Sequence, residues 1–327
     1  MLGLISLLPP VGLTQETTSG PLLPIPTTVN VDKETVQLGY VLFHDRRLSK
    51  DNSTSCASCH NLATAGTNHT PVSFGVNKSP GLRNAPSVYN ARYNYFLLWD
   101  AQNISLEEQI DGPVHNEREL ANDWPTIIKR LNTDKYYQEQ FKNLYPDGIT
   151  EANIKHAIGS FQRALNTPNA RFDQFLRGDK SALSPEEYAG YQLFINYGCV
   201  ACHQGRNIGG NMYQKFGVFG DYYQDTHKPN NKDFGRYNLT KQEADRYVFR
   251  VPSLRNVELT FPYFHDGSVE TLEEAVYIMG KYQLGRELTK EEIQQLITFL
   301  KTLTGEFEFE HLVSQQSPHK IIRTYKK

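Results

Sequence analysis

No stretch of the chain approaches the roughly 20 consecutive apolar residues needed to cross a bilayer, so no membrane span is expected and the mature protein should be soluble. Nor does either sign of charge dominate: 34 Lys and Arg stand against 36 Asp and Glu, a formal net charge of −2. Without a basic surplus there is nothing to neutralise a phosphate backbone, and nucleic acid is excluded as an expected partner. Sulfur is scarce too, with four cysteines and three methionines in 327 residues. Each sulfur position therefore carries weight. What the chain has in quantity is aromatic surface, 19 Tyr and 17 Phe, enough to enclose large flat apolar groups as well as its own core. Its length allows two domains, each with a core of its own.

The first 30 residues are rich in Pro, Thr and Gly and lack apolar periodicity, which predicts an extended lead-in rather than a core element. Its apolar start, Met1 to Leu8 before Pro9 and Pro10, is too short and lacks the positive residues of a complete export signal. It is read as a possible signal remnant. Structure is expected from about Val36, and its punctuation is helical. Ser105 with Glu108, Ser184 with Glu187, Thr271 with Glu274 and Thr289 with Glu292 each fit a capping box ahead of apolar residues. Ile154, Ala157, Ile158, Phe161 and Leu165 recur at helical spacing, as do Ile293, Leu296, Ile297, Leu300 and Leu303, with Gly305 expected at the helix end. Two long Gly- and Asn-rich stretches, Gly66 to Asn90 and Gly205 to Arg236, are expected as loops that cover a ligand.

All four cysteines fall in two motifs, Cys56-Ala57-Ser58-Cys59-His60 and Cys199-Val200-Ala201-Cys202-His203. In this spacing two thiols add to the vinyl groups of a haem while the next residue brings an imidazole under the iron. A single four-cysteine zinc site is disfavoured because its two pairs normally lie within about 20 residues of each other. Disulfide or thioredoxin-like chemistry leaves the histidine unexplained in both copies, and no βαβ pattern surrounds either. The motif, preceded by a helix and followed by a Gly/Asn-rich loop, occurs twice, which points to two related modules. Such a chain has to be exported to acquire its haems, and a periplasmic location is expected.

His60 and His203 each fill one axial position, and the other position decides between electron storage and chemistry. A methionine on a helix more often packs in a core. With two haems requiring ligands, Met279, in Ile278-Met279-Gly280, is preferred over Met212, which lies close to His203 in sequence.

The chain resembles the bacterial dihaem cytochrome c peroxidases from Leu38-Gly39 to Thr304-Gly305. The matching runs include Leu48-Ser49-Lys50, Cys59-His60-Asn61-Leu62-Ala63-Thr64, Arg83-Asn84-Ala85-Pro86-Ser87, Trp99-Asp100, Leu106-Glu107-Glu108-Gln109, Val251-Pro252-Ser253-Leu254-Arg255-Asn256-Val257 and Pro262-Tyr263-Phe264-His265-Asp266-Gly267. The resemblance implies a mainly α fold of two cytochrome c-like haem domains with long irregular loops: a lead-in over 1–30, a peroxidatic domain over 31–178 and an electron-transfer domain over 179–327. The tail, 306–327, is expected to pack back on the first domain.

It also implies two covalently bound haem c groups. The first is held by Cys56, Cys59 and His60, where hydrogen peroxide is reduced; the second, held by Cys199, Cys202, His203 and Met279, receives electrons from a small cytochrome c or copper protein. Trp99 matches the tryptophan between the haems, Glu119 the catalytic carboxylate and Gln109 a nearby pocket residue. From residue type alone Glu117 and Glu119 are equivalent. Asn84, Thr260 and Pro262 match the residues that bind a calcium ion, largely through carbonyl oxygens, and a homodimer is implied. Relatives that oxidise a side chain of a partner protein, and a non-catalytic dihaem electron carrier, are the alternatives; the best-known side-chain oxidase has Tyr where the peroxidases have the Met or His pattern. One departure is notable. Where many members carry a distal His on the loop after the first motif, this chain has Val76, which cannot ligate iron; His69 and His115 are the other imidazoles in reach.

Overall fold

Three of the four expected helix starts close as reciprocal caps in the structure, a computed structural model that describes residues 20–307. Ser184 Oγ accepts from Glu187 N, and Glu187 Oε2 accepts from Ser184 N at 2.9 Å, opening the helix Pro185–Asn196. Thr289 and Glu292 do the same for Lys290–Lys301. Thr271 accepts from Glu274 N and starts Leu272–Ile278, without the return bond. Ser105 and Glu108 are reciprocally bonded but open only a single 3₁₀ turn, Glu108–Ile110, which runs into the short helix Asp111–His115. Pro113 inside that helix has no N–H to extend the ladder.

The fold is mainly α. Its one named sheet among the described residues is a two-stranded antiparallel pair, Tyr213–Lys215 with Val248–Arg250. Two buried apolar clusters form. The first is built around Val36, Leu42, Phe43, Phe141, Ile158 and Phe161, the second around Phe172, Phe194, Ile208, Ile278, Phe299 and Leu300. Each is organised by one close helix crossing. Helix Lys33–His44 meets Glu151–Ala164 at Gly39, where a Cβ would stand 1.9 Å from the Ala157 carbonyl oxygen and 2.8 Å from Phe161 Cβ. Helix Pro185–Asn196 meets Lys290–Lys301 at Gly190, where a Cβ would stand 2.0 Å from the Gln295 carbonyl oxygen and 2.9 Å from Phe299 Cβ. A glycine on one helix faces a backbone carbonyl and a phenylalanine on the other, once before each Cys-x-x-Cys-His motif. The sequence echo thus has a counterpart in packing, and Phe161 and Phe299, both fully buried, are each worth roughly 1.5–3 kcal/mol of apolar burial.

Three features differ from the sequence expectations. The lead-in is extended, but Leu22 and Ile25 are buried, Leu22 in the second cluster. Leu22 bridges Gly205, Ile25 N donates to Asp173 Oδ1, and Arg255 and Arg206 donate to the carbonyls of Leu23 and Pro24. Hydrogen-bond partners on the second half satisfy its backbone, so it can be buried without periodicity of its own. Phe172 and Phe175 also belong to the second cluster, so the apolar division falls ahead of the expected boundary at 178. Gly305 does not end the last helix, which stops at Lys301 with Thr302 as cap; its missing Cβ instead lets the chain pass close to the Thr167 carbonyl oxygen, from which a Cβ would stand only 2.1 Å. Met1 to Leu8 and most of the tail lie outside the described residues. At the tail's start Phe307 packs edge-on to Tyr89, their ring centroids 4.8 Å apart.

Candidate functional site

Cys56–Cys59 forms one helical turn, capped by Ser55 through Ser58 Oγ, which accepts from Ser55 N at 3.0 Å. His60 closes it, its N–H donating to the Cys56 carbonyl at 2.9 Å. None of the four cysteines is in a disulfide. Burial pushes the Cys56 thiol up to about 12 and raises Cys59, and the nearby charge of Glu119 adds to both shifts. Burial also lowers His60 and keeps its imidazole neutral. Its Nδ1 lies 3.3 Å from the Gly66 carbonyl oxygen, the kind of backbone contact that orients a metal-binding imidazole.

The second motif repeats this with Gly198 at φ +86°, then one 3₁₀ turn over Cys199–Ala201, and His203 N donating to the Cys199 carbonyl at 2.9 Å. Cys199, Cys202 and His203 line a hollow of about 480 Å³, the size range of enclosed ligand sites. Phe194, Leu254, Leu288, Leu296 and Leu300 supply apolar wall. Burial pushes the Cys199 thiol up to about 11 and His203 down to about 4. A neutral imidazole is the form that binds metal, and His203 Nδ1 is buried with no hydrogen-bond partner. Met279 lines the same hollow; Met212 does not. Met279 opens a π-helical turn, Met279–Gln283, directly after Leu272–Ile278, a widening of the helix that is frequent at functional sites. Gly280 within it leaves room for Leu288, whose Cδ1 would lie 2.7 Å from a Cβ there. Two thiols, a neutral imidazole and a thioether around one apolar hollow fit a covalently held haem.

The hollow extends to the first half of the chain, reaching Asn84, Pro86 and Trp99. Trp99 is held by its Nε1–H, which donates to the Asn84 carbonyl at 2.9 Å, and by its own carbonyl, which accepts from Arg250 N at 2.9 Å. Thr260 and Pro262, the latter after a cis peptide bond, line this hollow with Asn84. The structure thus brings the three residues matched to calcium binding to one cavity. The Asn84 carbonyl keeps a second lone pair beyond the one that Trp99 uses.

Glu119 is half-buried while Glu117 is exposed, which separates two residues that type alone does not. Burial raises the Glu119 carboxyl above the usual range, against the hydrogen bond that Asn116 Nδ2 donates to its Oε1 at 2.7 Å. The loop carrying Val76 lies directly on this segment. Val76 N donates to the Glu119 carbonyl at 2.9 Å, and only glycine fits at 75, where a Cβ would stand 2.2 Å from the Arg118 carbonyl oxygen. Val76 is buried. The two neighbouring imidazoles are engaged elsewhere: His69 Nε2 lies 2.9 Å from the Leu259 carbonyl with its ring stacked on Phe261, and His115, exposed, has Nδ1 3.2 Å from the Asn122 carbonyl. Gln109 Nε2 donates to the Leu106 carbonyl and to Gln162 Oε1, on the turn that feeds Asp111–His115.

Sequence reasoning missed Arg250, a guanidinium 4% exposed on the wall of the second hollow. Its signal was a lone charge inside the apolar run Val248-Phe249-Arg250-Val251.

A family profile described as di-haem cytochrome c peroxidase matches residues 33–181. The cytochrome c551 peroxidase of Nitrosomonas europaea is 44% identical over 287 residues, 88% of this chain and 84% of that protein. The cytochrome c peroxidase Ccp of Escherichia coli is 41% identical over 286 residues, 87% of this chain but 61% of that longer protein. Among solved structures, a MauG-like protein associated with microbial copper homeostasis aligns with a TM-score of 0.76 at 29% identity, over 90% of this chain and 95% of that one.

Proposed function

The chain belongs to the di-haem cytochrome c peroxidase family, and from that premise we infer that it is a peroxidase which reduces hydrogen peroxide to water with electrons delivered by a small cytochrome c or a copper protein. The observation that carries the reading is the pair of Cys-x-x-Cys-His turns with free thiols and neutral imidazoles, one of them sharing an apolar hollow with Met279 and Trp99. Cys56, Cys59 and His60 hold the first haem; Cys199, Cys202, His203 and Met279 hold the second. Bound there, the haems would supply the iron-centred redox chemistry of peroxide reduction.

The chain's own residues do the rest. Met279, a thioether on the hollow that His203 also lines, would hold the second haem and favour its reduced state, making that site the point of electron entry. Trp99, fixed at its indole N–H and at its carbonyl, lies along the route between the sites. Glu119 handles the proton: Asn116 occupies Oε1, and Oε2 takes a proton from peroxide and returns it to the departing oxygen. A carboxyl raised by burial suits both halves of that task. Gln109 lines the approach. Val76 offers no ligand atom, so a haem held by Cys56, Cys59 and His60 would take none from this loop position, and turnover would need no prior reduction. Asn84, Thr260 and Pro262 offer oxygens to a calcium ion between the halves. The domain around the first motif, expected over 31–178, acts as the peroxidatic one and that around the second, expected over 179–327 and joined in its core by Leu22, Phe172 and Phe175, as the electron-transfer one, in a periplasmic protein that works as a homodimer. Among the described residues no helix is long and apolar enough to cross a membrane.

The test is direct. Denatured protein should retain two haems per chain, and the native protein should oxidise a reduced small cytochrome when peroxide is added. Electron paramagnetic resonance of the fully oxidised protein should show a high-spin centre; two low-spin centres with no peroxidase activity would leave an electron carrier.

A further inference from the structure

Among the described residues Arg250 is a buried cation with no counter-ion. The other deeply buried arginine of this region, Arg255, is paired with Asp173 at 2.6 Å. Arg250 forms no ion pair among the described residues, and its guanidinium is pushed down to about 10 by burial alone, with no acidic neighbour acting on it. Its Nε donates to the Leu98 carbonyl at 3.1 Å, and its Nη1 is buried with no partner. The side chain lines the hollow that contains His203 and Met279, and its guanidinium carbon stands 5.9 Å from the centre of the Trp99 ring. Unpaired buried charge is strongly disfavoured, and an orphaned guanidinium donor is built to take a carboxylate. No carboxylate of the described residues meets it, which points to an anion from what fills the hollow.

We propose that Arg250 binds a propionate carboxylate of the haem held by Cys199, Cys202 and His203, and that this pairing holds up the reduction potential of that haem. The proposal rests on the functional reading above and adds a ligand-binding residue to it. The physics is one of charge. An uncompensated propionate close to the iron stabilises the oxidised state, which carries one more positive charge; pairing the propionate with a fixed cation removes that preference. The same cation beside Trp99 disfavours loss of an electron from the indole, so Trp99 conducts without being consumed.

The experiment is a redox titration of the second haem in the holoprotein, comparing R250Q and R250K with wild type, after haem staining has shown both groups attached. R250Q should lower the potential enough to shift the oxidised-to-reduced ratio at least tenfold at fixed applied potential, which is about 59 mV for a one-electron couple. R250K, which keeps the charge and loses the fork, should recover most of that shift. If R250Q moves the potential by less than twofold in ratio while its melting temperature falls, Arg250 merely props the Leu98 carbonyl and the proposal is overturned. A variant that fails to accumulate does not end the matter, because the wild-type protein offers an independent reading. A propionate paired with Arg250 stays ionised, so the potential should be flat between pH 5 and 8; an inflection there from propionate titration would refute the pairing. Wild-type protein without covalent haem would instead overturn the functional reading itself.

Discussion

Replacing Glu119 by Gln isolates the proton-handling step, because the amide keeps an oxygen for Asn116 Nδ2 while losing the ability to accept and return a proton. Positioned acid–base groups contribute about 10²–10⁴-fold, so E119Q should raise the barrier by about 3–5 kcal/mol and lower kcat by two to four decades. The pH profile gives a second readout. Burial raises the Glu119 carboxyl, and its working form is the carboxylate, so activity should fall as pH drops through a value above that of an ordinary Glu; in E119Q this acid limb should vanish. Stability moves the other way. A carboxyl raised on folding binds its proton more tightly in the native state, so its contribution is complete below the unfolded pKa and declines as pH rises through the folded one. At neutral pH E119Q should therefore melt no lower than wild type, and lost turnover cannot be ascribed to unfolding. E117Q, at an exposed position, is the control. Stopped-flow oxidation of reduced cytochrome by peroxide measures all of this, and an E119Q enzyme within twofold of wild type, or one that keeps the acid limb, refutes the assignment.

V76H should place an imidazole at the first haem, converting its oxidised signal to low-spin in paramagnetic resonance and imposing a lag in turnover that pre-reduction removes. G39A and G190A force a methyl onto a backbone carbonyl at 1.9 and 2.0 Å; each should cost about 3 kcal/mol by overpacking, read as a lower denaturant midpoint. S184A removes the hydroxyl that caps Pro185–Asn196 and should cost about 1 kcal/mol, about 2–4 °C in melting temperature for a unit of this size.

Much of the framework was legible because it is written in local rules. The capped starts at Ser184 and Thr289 and the apolar stripes from Ile154 and Ile293 each require only neighbours within one or two turns, and the helices stand where those signals put them. The haem turns were legible for the same reason, as residues one helical turn apart. What escaped depends on partners far along the chain. Leu22 and Ile25 sit in a Pro- and Thr-rich stretch with no periodicity, and their burial depends on Asp173, Gly205 and Arg255. Gly305 looked like a helix terminator and instead answers to Thr167. Glu119 and Glu117 differ only in how far the fold encloses them. Arg250 looked like one more charge, and only the absence of a carboxylate around its side chain distinguishes it.

The burial of Leu22 and Ile25 makes the second half of this protein discontinuous in sequence. Its hydrophobic interior is begun by residues near position 22, interrupted by the whole of the first half, and completed after Phe172. Dissecting the protein at a single cut between the two motifs would therefore produce a carboxy-terminal fragment with an open slot and with the Arg255 and Arg206 guanidiniums deprived of the carbonyls of Leu23 and Pro24. During synthesis the strap emerges first and has to wait for its receptor to be made. A fragment expressed for spectroscopy of one haem should accordingly be assembled with residues 20–30 supplied in trans or fused ahead of Arg171.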